Sequence, residues 1–351
     1  MLIGERQILD IDVYYLQYEF VREMIDLWNI FCNDNIEEAL KDIELGDCSK
    51  KLIESMEVGL GRKIDGVRYR SSERKSYGVN SGNNLTVCFS GGKDSLAAAL
   101  KYIDLGYKVN LYKVDGINKG YPKEVEAAKV LASALGLPLE IEKIGVKGKK
   151  FYIEHPLKNQ MICTLAFAYC IENKLDTHIV FGDFKSDVYS KSHYGIDWSD
   201  CKEVWDSYLE FIRNWIPDAE IDIAFDDIDD SYDIMSNNTE YLSMYQSCLM
   251  NMRYRDSLNR KNKEKYNVSD MLPNRCGSCW KCAMEYIYFA DSGALEYNRE
   301  YYRHCLDVLK SNFSGAKSEI PKPRNREEAH NAYFVKKKYK DGKYYKDTLE
   351  D

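Results

Sequence analysis

From Leu85 onward, short apolar runs alternate with longer amphipathic ones. Leu85-Thr86-Val87-Cys88-Phe89 is brief and rich in branched and aromatic residues, which predicts a buried strand, and Ser95 to Leu105 continues as an apolar helix. Val109 to Val114 predicts a second strand. Pro122 to Leu135 predicts a helix, with Pro in its first turn and Gly136 just past its end. Leu139 to Ile144, Met161 to Asn173 and Thr177 to Phe181 then read as strand, buried helix and strand. This spacing is that of βαβ units. It predicts an α/β fold with a doubly wound parallel sheet, right-handed crossovers, and ligands at the C-terminal ends of the strands.

The flanks are less regular. Tyr15 to Leu27 and Ile36 to Leu52 mix apolar and charged residues at helical spacing, while Tyr69 to Asn84 is rich in Ser, Asn, Gly and Arg and reads as a loop. The expected organisation is an α-rich N-terminal extension over 1–84, the α/β domain over 85–245, a helical cysteine-bearing segment over 246–310 and a basic tail over 311–351.

Of the 351 residues, 44% are apolar and 30% charged, which suits a soluble globular protein. The longest nearly uninterrupted apolar stretch, Met161 to Ile171, is well short of the roughly 18 residues that a membrane-spanning helix needs, so no membrane partner is expected. A formal charge of −8 argues against sequence-independent coating of nucleic acid. The tail differs, with ten Lys or Arg against seven Asp or Glu over residues 311–351. Its run Tyr333-Phe334-Val335-Lys336-Lys337-Lys338-Tyr339-Lys340 reads either as a docking tail for an anionic or macromolecular partner or as a solvated extension. Met1 to Arg6 carries no export pattern. Eleven cysteines then point to reduced thiols, metal ligation and a cytoplasmic setting.

Two segments carry chemistry. The first strand runs directly into Ser90-Gly91-Gly92-Lys93-Asp94-Ser95 and then into a helix. Paired glycines allow a tight turn and close approach of backbone N–H groups to a ligand, and the helix start favours anions. Ser90, Asp94 and Ser95 add polar groups around the first turn, and Lys93 adds a positive charge. This is a phosphate-binding pattern but not a Walker A loop, because Val87 and Asp94 stand where that loop needs Gly and Ser or Thr. The hexapeptide resembles the signature of the PP-loop ATP pyrophosphatases, the adenine-nucleotide α-hydrolase-like superfamily. The resemblance implies binding of ATP with Mg²⁺, cleavage between the α and β phosphates, and AMP left on a substrate oxygen. It implies catalytic roles for Ser90, Lys93, Asp94 and Ser95, with the whole loop holding the departing pyrophosphate. Together with the architecture it places Asp115-Gly116 and Gly182-Asp183 on either side of the nucleotide.

The second segment is Cys276-Gly277-Ser278-Cys279-Trp280-Lys281-Cys282, three thiols at three-residue spacing that can converge on one metal. The fourth ligand is open between Cys248 upstream and His304 or Cys305 downstream. The metal is open between Zn²⁺ and a [4Fe–4S] cluster. Over roughly residues 85–295 the chain resembles a diverged member of the 7-cyano-7-deazaguanine synthases (the QueC family). The shared features are Ser247-Cys248 before the cysteine motif, then Gly182, Asp187, Val188-Tyr189-Ser190 and Asp200-Cys201 after the fourth strand, and Lys158-Asn159 before the buried helix. The resemblance implies Zn²⁺ held by Cys248, Cys276, Cys279 and Cys282. It also implies adenylation of a carboxylate such as 7-carboxy-7-deazaguanine, followed by C–N bond formation with ammonia or an amine. Lys158, Asn159, Lys185, Asp187 and Tyr189 become candidates for binding that substrate.

The chain departs from the pattern in several places. The spacer between Cys248 and Cys276 is long and includes the polar run Arg253 to Asn267, Lys158 stands where the family has Arg, and the family's Lys after a fifth strand has no counterpart near the acidic Asp226 to Asp233. Other readings therefore stay open: a QueC-like protein of an antiviral system acting on a protein or nucleic acid, a PP-loop thiolase or sulfonucleotide reductase, or a non-catalytic nucleotide-binding partner. A homodimer also stays open.

Overall fold

The computed structural model describes residues 8–10, 15–31, 40, 43–60, 63–71, 76–77, 82–116, 122–147, 157–185, 202–248, 252–268, 274–314, 343–344 and 348. In chain order these form β1 (Ile8–Asp10), α1 (Glu19–Phe31), β2 (Glu44–Gly46), α2 (Lys50–Leu60) and β3 (Arg68–Arg70). Then come β4 (Asn84–Cys88), α3 (Lys93–Asp104), β5 (Lys108–Asp115), α4 (Pro122–Leu135), β6 (Leu139–Lys143), β7 (Gly145–Lys147), α5 (Lys158–Glu172) and β8 (His178–Phe184). The rest is α6 (Lys202–Arg213), β9 (Glu220–Phe225), α7 (Ile228–Asn237), α8 (Met252–Tyr266), α9 (Trp280–Ser292) and α10 (Arg299–Ser314).

Five strands form a parallel sheet in the order β6-β5-β4-β8-β9. Both of its faces are covered, which is why β4 and β5 read as apolar on both sides. Leu85, Val87, Phe89 and Leu111 pack with α3, α4, α7, α9 and α10, whereas Cys88, Tyr112 and Val114 pack with α5 and α6. The chain runs outward through β5 and β6, then returns past β4 to build β8 and β9. The order reverses between β4 and β8, and a crevice forms at such a switch point beyond the strand ends.

The N-terminal elements do not have a core of their own. Phe20, Met24, Leu27 and Trp28 of α1 join one apolar cluster with Leu165 and Phe167 of α5 and with Tyr208 and Phe211 of α6. The helix expected from Ile36 to Leu52 is replaced, among the described residues, by β2, a turn at Asp47–Ser49, and α2 beginning at Lys50. Tertiary pairing overrides the local pattern here: Leu45 registers with Tyr69 in a parallel pair, so Arg68–Arg70 is strand and not loop. Glu23, fully buried, accepts hydrogen bonds from Gly46 N–H and from Ser49 Oγ at 3.2 Å and pairs with Arg70 at 3.1 Å.

At the other end the polar run Arg253 to Asn267 is largely helical, as α8. Of the tail, Tyr344 stacks on Tyr297 at 3.9 Å, and the buried Thr348 offers its carbonyl to Arg303 at 2.6 Å. The interleaved run Tyr333 to Lys340 lies outside the described residues. Among the described residues no helix is long and apolar enough to cross a membrane.

Candidate functional site

The end of β4 turns sharply at the predicted loop. Ser90 Oγ accepts the Gly92 N–H at 3.1 Å and meets Ser95 Oγ at 3.0 Å, and Ser95 Oγ donates to the Gly92 carbonyl at 3.1 Å. Helix α3 starts at Lys93, two residues earlier than its apolar pattern suggests, because Gly92 is extended and its carbonyl accepts Leu96 N–H at 3.1 Å. Two glycines let the loop sit this close to its neighbours. Gly91 has φ +85°, and a Cβ there would lie 2.8 Å from both Ala128 N and Glu124 O on α4. A Cβ on Gly182 of β8 would lie 2.8 Å from Ser95 Cα and 2.9 Å from the Asp94 carbonyl. The loop is thereby pressed between α4 and β8.

Beside it opens a cavity of about 110 Å³, bordered by Ser90, Ser95, Asp115, Gly116 and Gly182 with apolar walls from Phe89, Val125, Ile162 and Phe181. Two charged residues also line it, and neither is signalled by a motif: Lys113 on β5 and Glu124 in the first turn of α4. Lys113, only 5% exposed, donates to the Ser90 carbonyl at 2.9 Å and lies 3.6 Å from the Glu124 carboxylate. Burial lowers the Lys113 pKa and raises that of Glu124, and each opposes the other's shift. The sequence did hold a signal: Val109, Leu111 and Lys113 alternate on one face of a central strand, where a lysine is out of place unless it has a partner.

The remaining predicted residues scatter. Lys93 is not among the lining residues. Its ammonium lies 3.8 Å from the centre of the Tyr232 ring and hydrogen-bonds Ser231 and Asp94, and Ser231 in turn donates to Asp94 Oδ1 at 3.0 Å. Asp183 accepts the N–H of its neighbour Phe184 at 2.9 Å and is also outside the lining. Lys185 pairs with Asp226 at 2.9 Å on the exposed rim. Lys158 and Asn159 open α5, half-buried, with the Lys158 charge favouring ionised Glu124. Asp187 and Tyr189 lie outside the described residues, as does Asp200-Cys201.

A second centre lies behind the loop. The sulfurs of Cys248, Cys276, Cys279 and Cys282 all fall within 4.8 Å of one another, with Cys276 to Cys282 at 3.8 Å and Cys279 to Cys282 at 3.4 Å. Thiolates about 2.3 Å from a tetrahedral Zn²⁺ would be about 3.8 Å apart, so the four donors fit that ion. The downstream candidates are engaged elsewhere. His304 Nε2 bonds the Gly277 carbonyl at 3.0 Å and its ring stacks on Tyr266, while Cys305 is buried in the apolar cluster of α9 and α10. The Cys276 sulfur accepts N–H groups from Ser278 at 3.3 Å and Cys279 at 3.2 Å.

Helix α8 explains the long spacer. Arg255, Asn259 and Asn262 share one buried face at helical spacing. Arg255 donates to Gln246 Oε1 at 3.0 Å, Asn259 to the Arg275 carbonyl at 2.6 Å, and Asn262 to the Cys276 carbonyl at 2.9 Å. A buried ion pair between Arg275 and Glu285 completes the support, with Ser247 donating to Glu285 and Arg275 to the Tyr245 carbonyl at 3.2 Å. The stretch Tyr245–Cys248 so held reaches the loop, because Gln246 N–H donates to the Gly91 carbonyl at 3.0 Å.

No protein-family profile and no curated protein matches this chain. Among solved structures, it is similar to a predicted subunit of a tRNA methyltransferase from Methanocaldococcus jannaschii, at 20% identity over 44% of this chain and 75% of that one, with a TM-score of 0.28. It is also similar to an NMN synthetase from Francisella tularensis, at 10% identity over 77% of this chain and 95% of that one, with a TM-score of 0.33. Scores this low carry no functional argument. What stands is a mixed α/β fold with a five-stranded parallel sheet, a glycine-bearing loop at its switch point, and four cysteines gathered behind that loop.

Proposed function

We propose that the chain is an ATP-dependent PP-loop enzyme that adenylates a carboxylate and then forms a C–N bond. The observation that carries this reading is the placement of Ser90 to Ser95, with its hydroxyls and glycines, at the switch-point end of β4 beside an open cavity. The N–H groups at the start of α3 and the Ser90 and Ser95 hydroxyls suit the pyrophosphate. Adenosine fits between Asp115-Gly116 and Gly182, and Asp115 is the lining carboxylate available to the water shell of Mg²⁺.

In the reaction a carboxylate oxygen of the substrate attacks the α phosphorus. The bond from that phosphorus to the bridging oxygen breaks, and its electron pair leaves with pyrophosphate. An amine nitrogen then adds to the acyl carbon, loses a proton, and expels AMP to give an amide. With ammonia and 7-carboxy-7-deazaguanine, a second ATP adenylates the amide oxygen. Loss of AMP and two protons from that intermediate leaves the nitrile.

Lys158 and Asn159 at the start of α5, with Lys185, Asp187 and Tyr189 after β8, are the candidates to hold the carboxylate. Zn²⁺ on Cys248, Cys276, Cys279 and Cys282 would have no open ligand position, so its contribution is to fix the segment that touches the loop. Mass spectrometry after incubation with ATP, Mg²⁺ and 7-carboxy-7-deazaguanine, with and without ammonium, tests the reading. The expected products are AMP, pyrophosphate and an amide or nitrile. Pyrophosphate formed without change in the deazaguanine would point to another carboxylate.

A further inference from the structure

The cation that the loop itself offers, Lys93, is not among the residues that line the cavity. Its ammonium is buried on the α7 side, over the Tyr232 ring and bonded to Ser231 and Asp94. The cavity has a different ammonium. Lys113 lines it beneath the first residue of the loop, with the Ser90 carbonyl as one acceptor. The Glu124 carboxylate at 3.6 Å is beyond ordinary hydrogen-bond length, so it compensates charge without tying the ammonium down. An ammonium has three donors, and these two neighbours account for at most two.

We propose that Lys113, and not Lys93, is the residue that binds the nucleotide phosphates in this cavity, with Glu124 and the Ser90 carbonyl as its positioning partners. The assignment rests on the nucleotide reading of the site and adds to it a named binding residue that no part of the loop motif contains. Placement at the root of the loop gives Lys113 reach to an anion seated on the N–H groups of Gly91 to Ser95. A compact ammonium on a flexible stem suits a charge that is redistributed as a leaving group forms.

The surrounding charges agree with an anion. Glu124 and Asp115 favour the charged form of Lys113, and the charges of Lys158 and Lys281 join Lys113 in favouring ionised Glu124. Burial pulls the Lys113 pKa below the ordinary lysine range, so its charge is lost at a lower pH than that of an exposed lysine.

Calorimetric titration of the full chain with adenosine, and separately with α,β-methylene-ATP plus Mg²⁺, reads the contribution of the phosphates as the ratio of the two affinities. Lys113→Met should lower that ratio at least tenfold while leaving adenosine affinity within about twofold, and Lys113→Arg should keep the ratio. In the parent the ratio should fall as pH rises through the depressed lysine pKa, whereas Lys113→Arg should show no such fall. This second comparison decides the matter if Lys113→Met does not fold. An unchanged ratio in Lys113→Met, or superimposable pH profiles for parent and Lys113→Arg, overturns the assignment alone. A parent that binds neither ligand overturns the nucleotide reading and the assignment with it.

Discussion

With Zn²⁺ on the four cysteines and ATP in the cavity, as proposed, stripping the metal should weaken nucleotide binding, although the cysteines lie behind the loop. Cys248 is two residues from Gln246, whose N–H donates to the Gly91 carbonyl at 3.0 Å, and Gln246 Nε2 also reaches the Cys248 carbonyl at 3.4 Å. Losing the metal frees Cys248 and with it the register of the Tyr245–Cys248 stretch. The direct loss at the loop is one backbone hydrogen bond, with a net value of about 1 kcal/mol. A loss of that size corresponds to about a fivefold drop in affinity, since about 1.4 kcal/mol is tenfold. The assay is calorimetric titration of α,β-methylene-ATP into zinc-loaded and chelator-stripped protein, with circular dichroism to establish that the sheet domain stays folded. Linkage is reciprocal, so saturating analogue should tighten zinc binding by the same factor in a competition with a chromogenic chelator. Stripped, folded protein that binds the analogue as tightly as the loaded form would refute the coupling.

Three further outcomes follow from particular contacts. Cys248→Ser should lower zinc content and destabilise the protein by several kcal/mol, read by metal analysis and thermal unfolding, because metal binding is coupled to folding. Full zinc content in that variant would contradict the ligand set. Gly182→Ala should depress pyrophosphate release while the fold survives, since the added methyl group meets the Asp94 and Ser95 backbone at 2.8 to 2.9 Å and pushes the loop outward. At the opposite end of the sheet His178 and Asp222 pair at 2.9 Å. Burial lowers the His178 pKa, but the bond to Asp222 outweighs this and leaves it raised, while the bond to His178 lowers that of Asp222. The raised histidine stabilises below its unfolded pKa near 6.5 and loses this as pH rises through the folded value; the lowered aspartate stabilises above about 3.8 and loses this as pH falls. The pair therefore contributes most between about pH 4 and 6.5, by less than about 1 kcal/mol given its partial exposure. His178→Asn should narrow the stability difference between pH 6 and pH 9 in urea unfolding.

Much of the five-stranded sheet was legible in the chain. Short apolar runs at βαβ spacing located β4, β5 and β8 within a few residues, because a sheet covered on both faces demands continuous apolar strands, and alternating apolar positions located the edge strand β6. Proline and glycine punctuation gave α4 its limits at Pro122 and Leu135. What was not legible depends on contacts distant in sequence. Leu45 and Tyr69 look helical and loop-like in isolation and become strand only through pairing with each other. The run Arg253 to Asn267 looks like a polar insert. Only its buried face, Arg255, Asn259 and Asn262, shows that it packs over the cysteine knuckle. The motif singles out Lys93 because it sits in the loop, but only the structure shows that its ammonium lies over Tyr232 and that Lys113 lines the cavity.

The proposed reaction requires this site to cleave ATP between the α and β phosphates. Phosphorus NMR of a reaction mixture containing ATP, Mg²⁺ and a candidate carboxylate with ammonium reports the cleaved bond directly. AMP and pyrophosphate are expected in equal amounts with the parent, and at least about a 100-fold slower appearance of both with Ser90→Ala, which removes a hydroxyl from the proposed phosphate cradle. Formation of ADP and phosphate, or equal rates of pyrophosphate release from the parent and Ser90→Ala, would contradict it.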